Sequence, residues 1–115
     1  ITSIKVAEYL DLKKGTYSTS FQSRVSIIGS WLKPYTDKTV SSFAKKGTKE
    51  LAIATPAFIS DCLETLEEIG MEAAEDFEEK GGKKLHVIPC INDRDDWVKV
   101  LSRWIDEWAL TAVEI

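Results

Sequence analysis

Two short apolar runs, residues 51–55 (LAIAT) and 85–88 (LHVI), set the terms on which this chain can fold. Their apolar residues are near-continuous rather than alternating, the form taken by a strand covered on both faces. Each run stops at a proline, Pro56 or Pro89, which has no N–H to give to a ladder. Helical spacing follows each run. The first passes into residues 60–80, and the second into a helix from a cap at Asn92 or Asp93 to Ala109, with Trp97, Leu101, Trp104 and Trp108 on one face. Upstream, residues 2–12 place Ile4, Ala7 and Leu10 on a helical face closed by Lys13, Lys14 and Gly15. Residues 16–22 alternate Tyr17, Thr19 and Phe21 against small polar residues, and this predicts a third strand. A helix over 37–46 follows, capped by the Thr36 hydroxyl and stopped by Gly47.

The order is therefore helix, then strand and helix three times. It predicts one α/β domain over 1–115, a three-layer parallel sheet with helices on both faces. In such sheets, sites form beyond the carboxyl ends of the strands. Here those ends are residues 22–24, 56–61 and 89–92.

The helix over 60–80 is unusual in charge. From Asp61 to Glu79 it carries nine carboxylates and no lysine or arginine, so against a formal net charge of −4 the remaining residues are net positive. A surface helix ordinarily interleaves both signs. At 100° per residue, Asp61, Glu64, Glu68, Glu72 and Glu75 form one stripe, and Leu63, Leu66, Gly70, Ala73 and Phe77 form another that can face a core. The acidic row reads as a solvated face, a cation site or a path for protons, and Asp61 with Glu64 also fits a capping box. Glu75, Asp76, Glu78 and Glu79 read as plain surface. Nucleic acid is excluded as a partner of so acidic a face, and no apolar run approaches the length of a transmembrane segment. Cys62 and Cys90 lack metal-site spacing and read as reduced thiols. His86, the single histidine, reads as structural or surface.

There is no GxGxxG, no P-loop and no GxSxG. What the rim does contain is FQSR (21–24), WLKPYTD (31–37), TPAFISDCLETLEEIG (55–70) and IPCIND (88–93), in that order. Together these strings resemble the C-terminal half of ferrochelatase over nearly the whole chain.

The resemblance implies insertion of Fe²⁺ into protoporphyrin IX to give protoheme, part of heme biosynthesis, in a bacterial cytoplasm. It implies Glu64 as the catalytic and metal-handling carboxylate, Asp61 and Glu68 as a proton path or metal-handling pair on a helix with a widened π-type turn, and Trp31, Gln22 and Ser23 as porphyrin contacts. Fe²⁺ and the porphyrin are substrates, with no resident cofactor and no iron–sulfur cluster. The family's principal histidine lies upstream of the matching residues, and His86 does not correspond to it. The other wall of the cleft belongs to an N-terminal half that these residues lack, so the segment alone is expected to be inactive. Crowding among the acids is expected to raise some of their pKa values. The tryptophan stripe is expected to dock on that missing half or on a second copy. The alternative is a non-catalytic metal- or partner-binding α/β module, dimerising as small single-domain chelatases do.

Overall fold

The computed structural model describes residues 1–22 and 32–112. Strands β1 (Glu50–Ile53) and β2 (Lys84–Val87) pair in parallel, Glu50 opposite Lys84 through Ile53 opposite Val87. The Ile88 N–H reaches the Ile53 carbonyl at 2.8 Å and adds one step to the ladder. Pro89 has no N–H to add another. Both apolar runs are thus strands, and the fold is a small α/β unit.

The connection between them is the acidic segment. It forms a π-helix over Glu64–Ala73 that passes without a break into α3 (Ala74–Glu79). A π-helix bonds i to i+5 and holds more residues per turn than an α-helix, so the face turned inward is not the one a 3.6-residue period selects. Thr65 and Ile69 are buried at 0% and 2% exposure, whereas Leu63 and Leu66 stand 72% and 59% exposed. The inner row is Thr65, Ile69, Ala73 and Phe77, stepping by four. The acids beside it step likewise, through Glu64, Glu68, Glu72 and Asp76. Of the stripes expected at 100° per residue, Ala73 and Phe77 keep their inward place and Glu64, Glu68 and Glu72 their acidic row, while Thr65 and Ile69 take the inner positions expected of Leu63 and Leu66.

Helix α2 (Thr36–Lys45) has Asp37 in its first turn and Lys45 in its last, each complementing the helix dipole, and Gly47 takes φ 93° where the chain leaves it. The expected Thr36 cap does not form. Tyr35 holds the cap position, and the Thr36 hydroxyl instead shares a hydrogen bond with the Ser20 hydroxyl at 3.0 Å. Val40 and Ala44 of α2 meet Ile69, Phe77 and Leu85 in one core, with Phe43, Leu51, Ile53 and Val87 packed around it. Phe77 is fully buried, and burying a side chain of that size stabilises by roughly 1.5–3 kcal/mol.

Residues 16–22 do not form the expected third strand. Their one sheet-like contact among the described residues is a parallel bridge between Phe21 and Tyr35, made by the Phe21 N–H to the Pro34 carbonyl at 2.9 Å and the Thr36 N–H to the Phe21 carbonyl at 3.0 Å. Tyr17 and its neighbours are exposed with no adjacent strand among the described residues, and alternation without a partner strand does not hold a ladder.

Helices α1 (Thr2–Tyr9) and α4 (Asp95–Ala112) make little contact with the other elements, and α4 has no buried residue. Trp104 and Trp108 are 51% and 70% exposed, and the rings of Trp97 and Trp104 meet edge to face at 5.8 Å. The radius of gyration is 17.7 Å, against about 13 Å for a compact chain of this length.

Candidate active site

The first turn of the π-helix lies where the carboxyl ends of both strands meet, and its position is fixed by hydrogen bonds from two other segments. From the side of residues 21–22, the Gln22 amide donates to the Glu64 carbonyl at 3.1 Å and reaches the Glu68 carboxylate at a long 3.5 Å. From the other side, residues 88–92 are laced to residues 59–61. The Asn92 N–H donates to the Ile59 carbonyl at 2.9 Å and the Asp61 N–H to the Asn92 side-chain oxygen at 2.8 Å. In return, the Asn92 amide donates to Asp61 Oδ2 at 2.7 Å, and the Cys90 N–H reaches the same oxygen at 3.3 Å. The Thr65 hydroxyl, buried inside the helix start, donates to Asp61 Oδ1 at 2.8 Å and accepts the Cys62 N–H at 3.0 Å.

Asn92 adopts φ 53°, a left-handed conformation that asparagine tolerates better than most residues. Its side chain therefore faces Asp61 and does not cap α4 as the sequence suggested. Nor do Asp61 and Glu64 make a capping box, because the Asp61 N–H that Glu64 would have to accept goes to the Asn92 side-chain oxygen. The signal for this arrangement was present in the asparagine of IPCIND, but its partner lies 31 residues away and no local pattern names it.

Glu64 opens the π-helix, half-buried. Its carboxyl is held below the ordinary glutamate range, chiefly by the Cys62 thiol and also by its own backbone N–H, with burial pulling weakly the other way. Asp61 is lowered as well, by Asn92 first and then Thr65, with Cys90 adding to them and burial opposing. The rise expected from crowding does not occur at these two carboxyls, because hydrogen-bond donors reach each of them. Cys90 moves upward, mainly through burial, and its thiol lies 3.6 Å from the Thr55 hydroxyl.

Beyond Glu64 the acidic row borders an open groove of about 780 Å³, lined by Gln22, Tyr35, Ser41, Glu68, Glu72 and Asp76 among others. Asp76 is not plain surface. It accepts a 2.5 Å hydrogen bond from the Ser41 hydroxyl and pairs with Lys80. His86 sits on β2 and pairs with Glu50 at 3.1 Å, an exposed strand-to-strand contact away from the π-helix start. Among the described residues no three His, Cys, Asp or Glu side chains converge to hold a metal ion. Glu64, Glu68, Asp61 and Gln22 are thus brought to one end of one helix, while Ser23 and Trp31 lie outside the described residues. No helix among the described residues is long and apolar enough to cross a membrane.

A sequence profile described as Ferrochelatase matches residues 2–109. Curated relatives of that description include one from Pseudomonas putida strain F1, 45% identical over 101 residues, covering 88% of this chain and 30% of the relative. One from Rhizobium johnstonii is 52% identical over 96 residues (84% and 28%), and one from Legionella pneumophila strain Lens is 42% identical over 106 residues (92% and 32%). The chain spans about 30% of the length of these relatives.

Proposed function

The chain belongs to the ferrochelatase family, and on that premise we propose that it forms part of an enzyme inserting Fe²⁺ into protoporphyrin IX, with Glu64 the residue that handles the metal and the protons. The reaction exchanges one dication for two pyrrole protons. It needs an anion that meets the metal as it sheds water, and a route by which protons leave. The observation that carries the reading is the placement of Glu64: a half-buried carboxylate at the start of the π-helix, its pKa lowered by the Cys62 thiol, opening a row of acids that runs on to exposed Glu68 and Glu72. A lowered pKa makes Glu64 a weak base but a ready partner for a divalent cation, so metal handling is its first role. Glu68 takes protons toward solvent, and Asp61 serves the site through its hold on the helix start. Gln22, bordering the groove, and Ser23 and Trp31 are proposed as porphyrin contacts on the resemblance of FQSR and WLKPYTD.

Both Fe²⁺ and porphyrin are substrates, and no resident cofactor is invoked. The two-stranded sheet is read as part of a three-layer sheet completed by the remaining two thirds of the polypeptide, which would also cover α4. Its bare apolar face and the extended shape of the segment support this. The same dependence on the rest of the polypeptide makes these residues inactive alone.

The test is porphyrin fluorescence in the full-length protein under anaerobic, reducing conditions. Loss of fluorescence on adding Fe²⁺, with release of protons, supports the reading. Fluorescence unchanged by Fe²⁺, with porphyrin and metal each bound or ignored separately, supports the non-catalytic module instead.

A further inference from the structure

We infer that Asp61 is a positioning residue: its carboxylate clasps the start of the π-helix to residues 88–92 through Thr65, Asn92 and the Cys90 N–H, fixing where Glu64 stands, and it does not carry protons. The inference rests on the functional reading of Glu64. A carboxylate that relays protons needs a lone pair open to the incoming proton. Three of the roughly four acceptor positions of the Asp61 carboxylate are filled, on Oδ1 by the Thr65 hydroxyl at 2.8 Å and on Oδ2 by the Asn92 amide at 2.7 Å and the Cys90 N–H at 3.3 Å. A proton arriving on either oxygen would break into this clasp, leaving the Thr65 hydroxyl only the Cys62 carbonyl and the Asn92 amide only the Cys90 carbonyl, each at a longer 3.2 Å.

The pairing is also reciprocal. Asp61 gives its backbone N–H to Asn92 and receives the Asn92 amide, and the left-handed backbone at Asn92 is what turns that amide back toward Asp61. The Thr65 hydroxyl passes the hold into the helix, since it bonds Asp61 and the Cys62 backbone together. Release of Asp61 therefore frees the first turn on which Glu64 stands, three residues on.

Reciprocity supplies the test. In the full-length protein, Asp61→Asn sets two amides face to face, and Asn92→Asp sets two carboxylates face to face. The exchanged pair, Asp61→Asn with Asn92→Asp, restores donor to acceptor between the two side chains at the expense of the longer Cys90 contacts at 3.3 and 3.2 Å, and aspartate tolerates the left-handed backbone nearly as well as asparagine. Two readouts are taken: amide hydrogen exchange over residues 59–65 and 90–92, and kcat and KM for insertion of Fe²⁺ into protoporphyrin. Each single variant is expected to speed exchange and to lower kcat about tenfold to hundredfold, with porphyrin KM within about threefold, as small misplacements of a catalytic group do. The exchanged pair is expected to recover both.

Recovery of exchange without recovery of kcat would mean that a carboxylate at position 61 moves protons, and would overturn the inference. So would single variants that loosen exchange yet keep wild-type kcat, or an exchanged pair that stays loose. Should Asn92→Asp fail to accumulate folded, Thr65→Val removes only the bridging hydroxyl and is read the same way, a wild-type kcat counting against the clasp. If the wild-type protein inserts no iron, the functional reading fails on its own. Exchange then decides the clasp, tight in the exchanged pair or not.

Discussion

The Gln22 amide donates to the Glu64 carbonyl at 3.1 Å across 42 residues of sequence, and this bond joins the segment around the Phe21 bridge to the first turn of the π-helix. Gln22→Leu removes the donor and keeps the bulk. It is expected to cost about 1 kcal/mol of stability, read as a lowered urea midpoint with unchanged slope. Gln22→Glu is expected to cost more, because it sets a carboxylate against both the Glu64 carbonyl and the Glu68 carboxylate.

Acid should undo the hold on Asp61. Its folded pKa lies below the ordinary value of about 3.9, so its contribution is present above that pH and is lost as pH falls through the folded value. The difference in stability between wild type and Asp61→Ala is therefore expected to be constant from neutral pH to about pH 5 and to shrink below about pH 4. Chemical denaturation at stepped pH measures it, and a difference that persists undiminished into strong acid contradicts the ionised clasp.

Phe77 and Gly82 meet so closely that a Cβ on Gly82 would stand 2.3 Å from the Phe77 ring. Gly82→Ala is expected to destabilise by about 1–3 kcal/mol through overpacking, and Phe77→Ala by about 3–5 kcal/mol through the cavity it leaves. The two changes should be coupled. Phe77→Leu in the Gly82→Ala background is expected to cost less than it does alone, because the smaller side chain relieves the clash. Additive costs would mean that the loop moves away instead.

Much of this architecture was legible because it depends on near neighbours. The runs LAIAT and LHVI ended at their prolines, α2 closed at Gly47, and the rim strings matched a family whose profile covers residues 2–109. What was not legible depends on distant partners or on an unusual helix. Leu63 and Leu66 were placed inside by a 3.6-residue period that the π-helix does not follow. Asp61 looked like a helix cap because Asn92, its true partner, lies in the next strand's loop. Residues 16–22 had the composition of a strand and no neighbour among the described residues to make them one.

The exposed tryptophans of α4 give a prediction about the larger protein. If the rest of the polypeptide covers this helix, Trp104→Ala and Trp108→Ala are expected to destabilise the full-length protein by about 3–5 kcal/mol each, as buried aromatic truncations do. Changes within about 0.5 kcal/mol, the ordinary range for surface positions, would mean that α4 stays bare. Thermal denaturation of the two variants beside wild type decides it.

The most direct measurement of the central claim is turnover by full-length Glu64→Gln. This variant keeps the shape of the side chain and removes the charge proposed to receive the metal. The expected result is a kcat for iron insertion lowered by about 10²–10⁴-fold, with porphyrin affinity retained and the fold intact by circular dichroism. A Glu64→Gln enzyme that inserts iron within about twofold of the wild-type rate would contradict the role given to Glu64.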